Sequence, residues 1–402
     1  MDNFSTANNE FCLDVFKELN SNGIEENVFF SPVTMFYALS MVLFGARGNS
    51  AAQIEKVLHL NHVAEPFKSG LSECNKTAWM HSGFGGIFSQ ISQPNSNYTL
   101  NIANRIYGSK TKAFNQQYLS CSEQLYQARL QPVDFEQSPE EARKIINAWV
   151  ESKTNGKITN LFGKGTIEPS CVMVLVNAIY FKGQWQHKFQ KKETIKTPFH
   201  LGQGKSVTVD MMYQTGKFRL ASIQDPQMQV LELPYVNKKL SMVILLPVGT
   251  ASLGQIEKQL NVKTFHEWTS SSSLREREVE VHIPRFTLEI KYELNSLLQS
   301  LGMTDVFNQM KADLTGISPA KGLSLSKVIH KSYVDVNEEG TEATSATGDS
   351  LVVKRLPMKT QFVADHPFLF FIRHVHTNTI FFCGKLVSPS GNGIEPFSVT
   401  ER

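Results

Sequence analysis

Apolar residues recur at helical spacing near the start of the chain. Phe11, Cys12, Val15, Phe16 and Leu19 fall near one face, which predicts an amphipathic helix over residues 9–19. The run 27–30 predicts a short buried strand. Ser31-Pro32 then reads as a helix entry, with a serine able to cap and a proline suited to the first turn. The residues up to Leu43 are apolar nearly all round, as befits a helix in the middle of a large core, and Gly45 and Gly48 end it. Residues 51–60 repeat the helical pattern. Residues 62–97 lack sustained periodicity except over 84–91, and predict a surface loop before a short helix.

Beyond this loop, strands and helices mix. A strand is expected over 101–107, a helix up to Tyr126 and a short extended run over 129–135. Ser138-Pro139-Glu140-Glu141 carries a capping serine, a first-turn proline and acids at the positive end. It predicts a helix to about Val150 with Ile145, Ile146 and Trp149 turned inward. Runs at 173–181, 199–213, 218–220, 227–232 and 240–246 read as strands, followed by a surface helix near 253–260. Over 276–283, Val279, Val281 and Ile283 alternate with Glu278, Glu280 and His282, so one face of that strand is wet. A helix at 294–301, extended chain at 323–336 and apolar runs at 368–372 and 379–383 complete the pattern. The strands are non-local and no clean linker separates them. One large α+β domain is therefore expected over residues 1–389, in preference to the two or three that length alone suggests.

One stretch stands apart. Residues 336–362, VNEEGTEATSATGDSLVVKRLPMKTQF, are dominated at first by Gly, Ala, Ser and Thr. Such residues suit an exposed loop and can equally enter a sheet as a strand. Lys354-Arg355 would satisfy a trypsin-like pocket with a carboxylate at its base. An interdomain linker with a dibasic pair is the plain alternative. Only 47 residues follow Arg355, too few for an ordinary domain, yet they include apolar strands. A bait segment tethered at both ends to one body fits better.

Composition narrows the function classes. With 41% hydrophobic and 19% charged residues the chain is globular, and a net charge of +3 offers no general case for nucleic acid. Lys110, Lys112, Lys238 and Lys239 read as solvated charges. No stretch is long and apolar enough to propose a membrane span, and the amino terminus does not read as a cleaved leader. Cys12, Cys74, Cys121, Cys171 and Cys383 are odd in number and widely spread, which predicts reduced thiols in a cytoplasmic protein. Sequons at Asn75 and Asn97 would go unused in that setting. No Gly-rich phosphate cradle, HExxH pair, cysteine cluster or G-x-S-x-G elbow is present, and His374 and His376 lack a third ligand. Neither a cofactor nor an enzyme activity is expected.

Four blocks in order carry a family resemblance: NVFFSPVTMFYALSMVLFGARGNS from Asn27, NAIYFKGQWQHKF from Asn177, KVIHKSYVDVNEEGTEA from Lys327 and FVADHPFLFFIR from Phe362, the last followed by FCGKLVSP. The chain resembles the serpins, and within them the ovalbumin-type intracellular members. The resemblance implies a single α+β domain with three sheets, surrounding helices and an exposed reactive loop at about 338–362. It implies a suicide-substrate inhibitor of a trypsin-like serine protease: the loop is cut at Lys354-Arg355, inserts into the main sheet and drags the bound protease with it. Cleavage after Arg355 is the lesser alternative. The hinge then comprises Glu338, Glu339, Gly340, Thr341, Glu342, Ala343, Thr344, Ser345 and Ala346. Ser31, Thr34, Asn177 and His330 match a polar cluster beneath the main sheet. Trp185 matches a bulky residue at the hinge entry, and Arg285 with Glu338 matches an ion pair there. A monomer is implied, and leaderless release from cells stays open.

The sequence also departs from the family pattern. Thr341, Ala343, Ser345, Thr347 and Asp349 would face inward on insertion, and burying an unpaired Asp349 carboxylate is costly. Thr344 and Ser345 stand where inhibitors usually carry alanine. If insertion loses its race with deacylation, the loop becomes a mere substrate, so a non-inhibitory serpin acting as a cleavable substrate or protein-binding scaffold is the rival reading. Residues 390–402 extend past the usual family end as a tail expected to be flexible.

Overall fold

The computed structural model describes residues 3–21, 26–62, 98–339, 358–389 and 397–398. Its helices are α1 (Asn3–Leu19), α2 (Pro32–Gly45), α3 (Gly48–Val57), α4 (Gln116–Tyr126), α5 (Pro139–Lys153), α6 (Leu253–Gln259), α7 (Val262–Thr269) and α8 (Asn295–Leu301). The strands are β1 (Val28–Phe30), β2 (Tyr98–Ser109), β3 (Gln131–Val133), β4 (Met173–Gly183), β5 (Ile195–Gly202), β6 (Lys205–Gln224), β7 (Gln227–Pro234) and β8 (Leu240–Pro247). They continue as β9 (Arg275–Pro284), β10 (Phe286–Glu293), β11 (Lys327–Val336), β12 (Thr360–Val363), β13 (Phe368–His374), β14 (Thr379–Leu386) and β15 (Phe397–Ser398). One sheet runs β15-β10-β11-β4-β2-β3; the other runs β1-β14-β13-β8-β7-β6-β9-β12, with β5 added to β6. This is the mixed α+β architecture expected from the sequence, with the described strands joined into two sheets where the resemblance implied three, because β6 is long enough to pair with β5, β7 and β9 alike.

Both sheets are stabilised by what lies between them. The apolar helix α2 is buried along almost its whole length, and the Ser31 hydroxyl caps it by accepting the Thr34 N–H at 3.4 Å. Alternation places Phe286, Leu288, Ile290 and Tyr292 of β10 in the core. α1 lies along β14: the Asn8 side-chain amide donates to the Ile380 carbonyl at 3.0 Å and Asn9 Oδ1 accepts the Ile380 N–H at 2.9 Å. A second apolar cluster, including Tyr107, Ile146, Val150, Val174, Val176 and Ile329, seats α5 on the six-stranded sheet.

Three local expectations need correction. Ile146 of α5 is buried, but Ile145 is 43% exposed because it precedes the inward position by one residue, about 100° round the helix. Ser138 makes no side-chain cap, so the helix begins on Pro139 and the acids of its first turn alone. Cys12, Cys171 and Cys383 are free and buried, whereas Cys121 is disulfide-bonded, so the all-thiol expectation fails there. The expected helix at 84–91 lies outside the described residues. Of the tail, only Phe397–Ser398 are described, paired in parallel with Ile290–Lys291.

Gly384 of β14 tests this packing. A Cβ there would sit 2.2 Å from the Phe370 ring, which itself packs on Phe29 and Phe286. Gly384→Ala is expected to cost about 1–3 kcal/mol through overpacking, seen as a lower urea midpoint; an unchanged midpoint would contradict this packing.

Candidate functional site

β4 and β11 lie side by side in the middle of the six-stranded sheet, paired in parallel from Lys327↔Val174 to Val334↔Phe181. Parallel neighbours at the centre of a sheet require a crossover, and here the long passage through the second sheet supplies it. Any strand entering between them has to part this ladder.

A polar cluster sits beneath the pair. His330 of β11 stands opposite Asn177 of β4 in the register, its Nδ1 2.6 Å from Asn177 Oδ1. Its Nε2 accepts the Ser31 backbone N–H at 3.0 Å, which puts the ring proton on Nδ1, donating to Asn177. The Thr34 hydroxyl donates to the same Asn177 oxygen at 3.1 Å, and the Ser31 hydroxyl donates to the Phe381 carbonyl at 2.9 Å. The start of α2, both central strands and β14 are thus joined through one neutral imidazole. Complete burial depresses the His330 pKa to about 3.

A second constellation holds the chain where β11 leaves the sheet. Trp185 Nε1 donates to the Asn337 carbonyl at 2.8 Å, and its ring stacks on Tyr235 at 4.5 Å. The backbone N–H groups of Trp185 and Phe189 donate to the carbonyls of Glu339 and Glu338. The Glu338 side chain is only 2% exposed and faces the Arg285 guanidinium at 3.4 Å. Arg285 also reaches Asp210 at 2.6 Å, and Asp210 pairs with Lys196 at 2.6 Å. Lys196 first and Arg285 second hold the Asp210 carboxyl below the usual range. Lys182 does the same for Glu339, 2.6 Å away. A cavity of about 190 Å³ opens here, its lining including Lys191, Asp210, Arg285, Asp335 and Glu338.

The structure therefore brings together Ser31, Thr34, Asn177 and His330 in one cluster, and Trp185, Arg285, Glu338 and Glu339 in another. Gly340, Thr341, Glu342, Ala343, Thr344, Ser345, Ala346, Lys354 and Arg355 lie outside the described residues. Lys182, Tyr235 and the two backbone donors escaped sequence reasoning. A lysine directly before a glycine and a tyrosine between apolar strands carry no signal that they will meet a hinge.

Two measurements probe these clusters. For His330 the folded pKa lies below its ordinary 6.5. The unfolded chain thus binds the extra proton between those values, and stability is full above about pH 6.5 and declines as pH falls towards 3. The His330 contribution approaches about 1.4 kcal/mol per pH unit within that window. His330→Asn should flatten the dependence of stability on pH between 6.5 and 5; an unchanged slope would contradict a neutral buried imidazole. Arg285→Ala leaves the buried Glu338 carboxylate without its partner and should cost about 1–3 kcal/mol, with Arg285→Lys recovering part of the melting temperature. Equal melting temperatures for all three proteins would refute the pair's role.

Residues 6–389 match the family described as serpin (serine protease inhibitor). The chain is 71% identical to human serpin B11 over 392 residues, covering 97% of this chain and all of that protein. Among solved structures, uncleaved ovalbumin superposes with a TM-score of 0.88 at 38% identity, covering 96% of this chain and all of ovalbumin. A tumour-suppressing serpin superposes with a TM-score of 0.84 at 33% identity, covering 97% of this chain and all of that one. These likenesses overturn the expectation of a suicide-substrate inhibitor: the solved relative is described as tumour-suppressing and not as a protease trap, which favours the rival reading. The physical reason fits the hinge, where insertion must part an eight-residue ladder and carry Thr344, Ser345 and Asp349 with it. The chain belongs to the serpin family, in its ovalbumin-like, intracellular-type branch, and is not an enzyme.

Proposed function

We propose that this chain is a non-inhibitory serpin: a protein-binding scaffold whose exposed loop can be cut by a trypsin-like serine protease without capturing it. The observation that carries the reading is its likeness to serpin B11 and to the tumour-suppressing serpin. The hinge base supports it. Glu338 and Glu339 are held by two ion pairs, two backbone hydrogen bonds and the Trp185 indole on Asn337. These contacts hold the chain at the point from which the loop would feed between β4 and β11, and any delay there favours release of the acyl-enzyme by water. The family's association with serine proteases supplies the class of cleaving enzyme, and Lys354-Arg355 supplies the trypsin-like preference.

Incubating the native protein with a trypsin-like protease and resolving the products on a denaturing gel tests this directly. The expected result is cleavage after Lys354 or Arg355, identified by the mass of the released carboxyl-terminal fragment, with active protease recovered in full. A gel-stable species near the summed mass, with loss of protease activity, would overturn the reading.

A further inference from the structure

Charge is distributed unevenly over the chain. Residues 182–217 hold seven lysines against Glu193 and Asp210, so this one segment outweighs the whole protein's net +3 and the remainder is acidic on balance. Lys182 and Lys196 are consumed by Glu339 and Asp210. Lys188, Lys191 and Lys192 are exposed and join no salt bridge among the described residues. The segment is pinned along β6: Gln214 donates to the His187 carbonyl at 2.9 Å, the His187 ring meets Phe218, and Ile195 pairs with Met211. Three exposed ammonium groups therefore lie along this segment next to the hinge base, with Glu193 beside them and Lys191 also lining the cavity near Glu339.

Ile195 lies beside them, 64% exposed. A single exposed isoleucine is ordinary, and lysine with proline on an edge strand such as β5 commonly serves to block strand pairing. Pro198, which has no N–H to offer, does that work here. The blocking role does not account for a bare isoleucine set next to a segment with a surplus of exposed lysines. Apolar area flanked by charge of one sign is the arrangement that recognises a partner of opposite charge with an apolar anchor.

We propose that Lys188, Lys191, Lys192 and Ile195 form a docking surface for an acidic protein segment that carries an aliphatic side chain between its carboxylates. The lysines attract and orient the segment, and Ile195 supplies the apolar contact. A sulfated polysaccharide matches the charge but leaves Ile195 without a partner, so the protein segment fits better. This surface deepens the scaffold reading and rests on it, naming the chemistry of the partner.

The test is fluorescence anisotropy with a short labelled peptide of glutamates interrupted by leucines, run without protease. Binding should weaken steeply between low and physiological salt. Lys191→Gln/Lys192→Gln and Ile195→Ser should each lower affinity roughly tenfold, while Lys258→Gln/Lys263→Gln in α6 and α7 should leave it unchanged. All five substituted positions are exposed, and matching melting temperatures confirm folding. Equal affinity for a peptide with serine in place of leucine, or heparin binding that ignores Ile195→Ser and competes fully, would overturn the proposal, as would insensitivity to the two lysines. A protease complex on the gel would sink the non-trapping reading while leaving the peptide affinity standing, so the two failures are distinguishable.

Discussion

The parallel ladder between β4 and β11 is the constraint on which the rest depends. Between its two strands the chain runs through β5 to β9 of the second sheet, so the contact is long-range and held by what surrounds it. His330 makes the clearest contribution. One neutral ring, donating to Asn177 and accepting from Ser31, ties both strands to the start of α2, and Ser31 ties that helix to β14. A charged imidazole cannot accept from the Ser31 N–H, so the network holds only while the ring stays neutral.

At the other end of the same ladder, charge takes over from buried polarity. Glu338 is nearly inaccessible and shares Arg285 with Asp210; Glu339 is gripped by Lys182. The lysines left over after these pairings face outward, so the demand for ion pairs at the hinge and the surplus of exposed lysines beside it have one origin in the sequence between Lys182 and Lys217. The scaffold reading draws on both: a hinge that is held, and a surface that is available.

Much of this was legible in the sequence. Ser31-Pro32 marked the start of α2, and the alternation of Val279, Val281 and Ile283 marked β9, because cap chemistry and period-two burial are local. The resemblance identified the polar cluster and the Arg285–Glu338 pair. The period-two pattern of Phe286, Leu288, Ile290 and Tyr292 is equally local and marks β10, and the Asn261 cap before Val262, Phe265 and Trp268 marks α7, although neither is among the expectations above. Ile145 shows the limit of a helical wheel drawn without a partner surface. Lys182 with Glu339, and Trp185 on Tyr235, join positions far apart in the chain, where no local pattern applies. The inhibitor expectation failed for a related reason: the bait pair is spelled in the loop, but whether the loop enters the sheet depends on the competition between ladder, hinge restraints and deacylation.

The most direct test of that competition is the melting temperature before and after the Lys354-Arg355 region is cut. Insertion of the severed loop as an extra strand releases the energy stored in the native fold and raises thermal stability sharply. A ladder that stays closed leaves the melting temperature of the cleaved protein close to that of the intact one, which is the result predicted here. A rise of tens of degrees would mean that β4 and β11 part readily and would contradict the account.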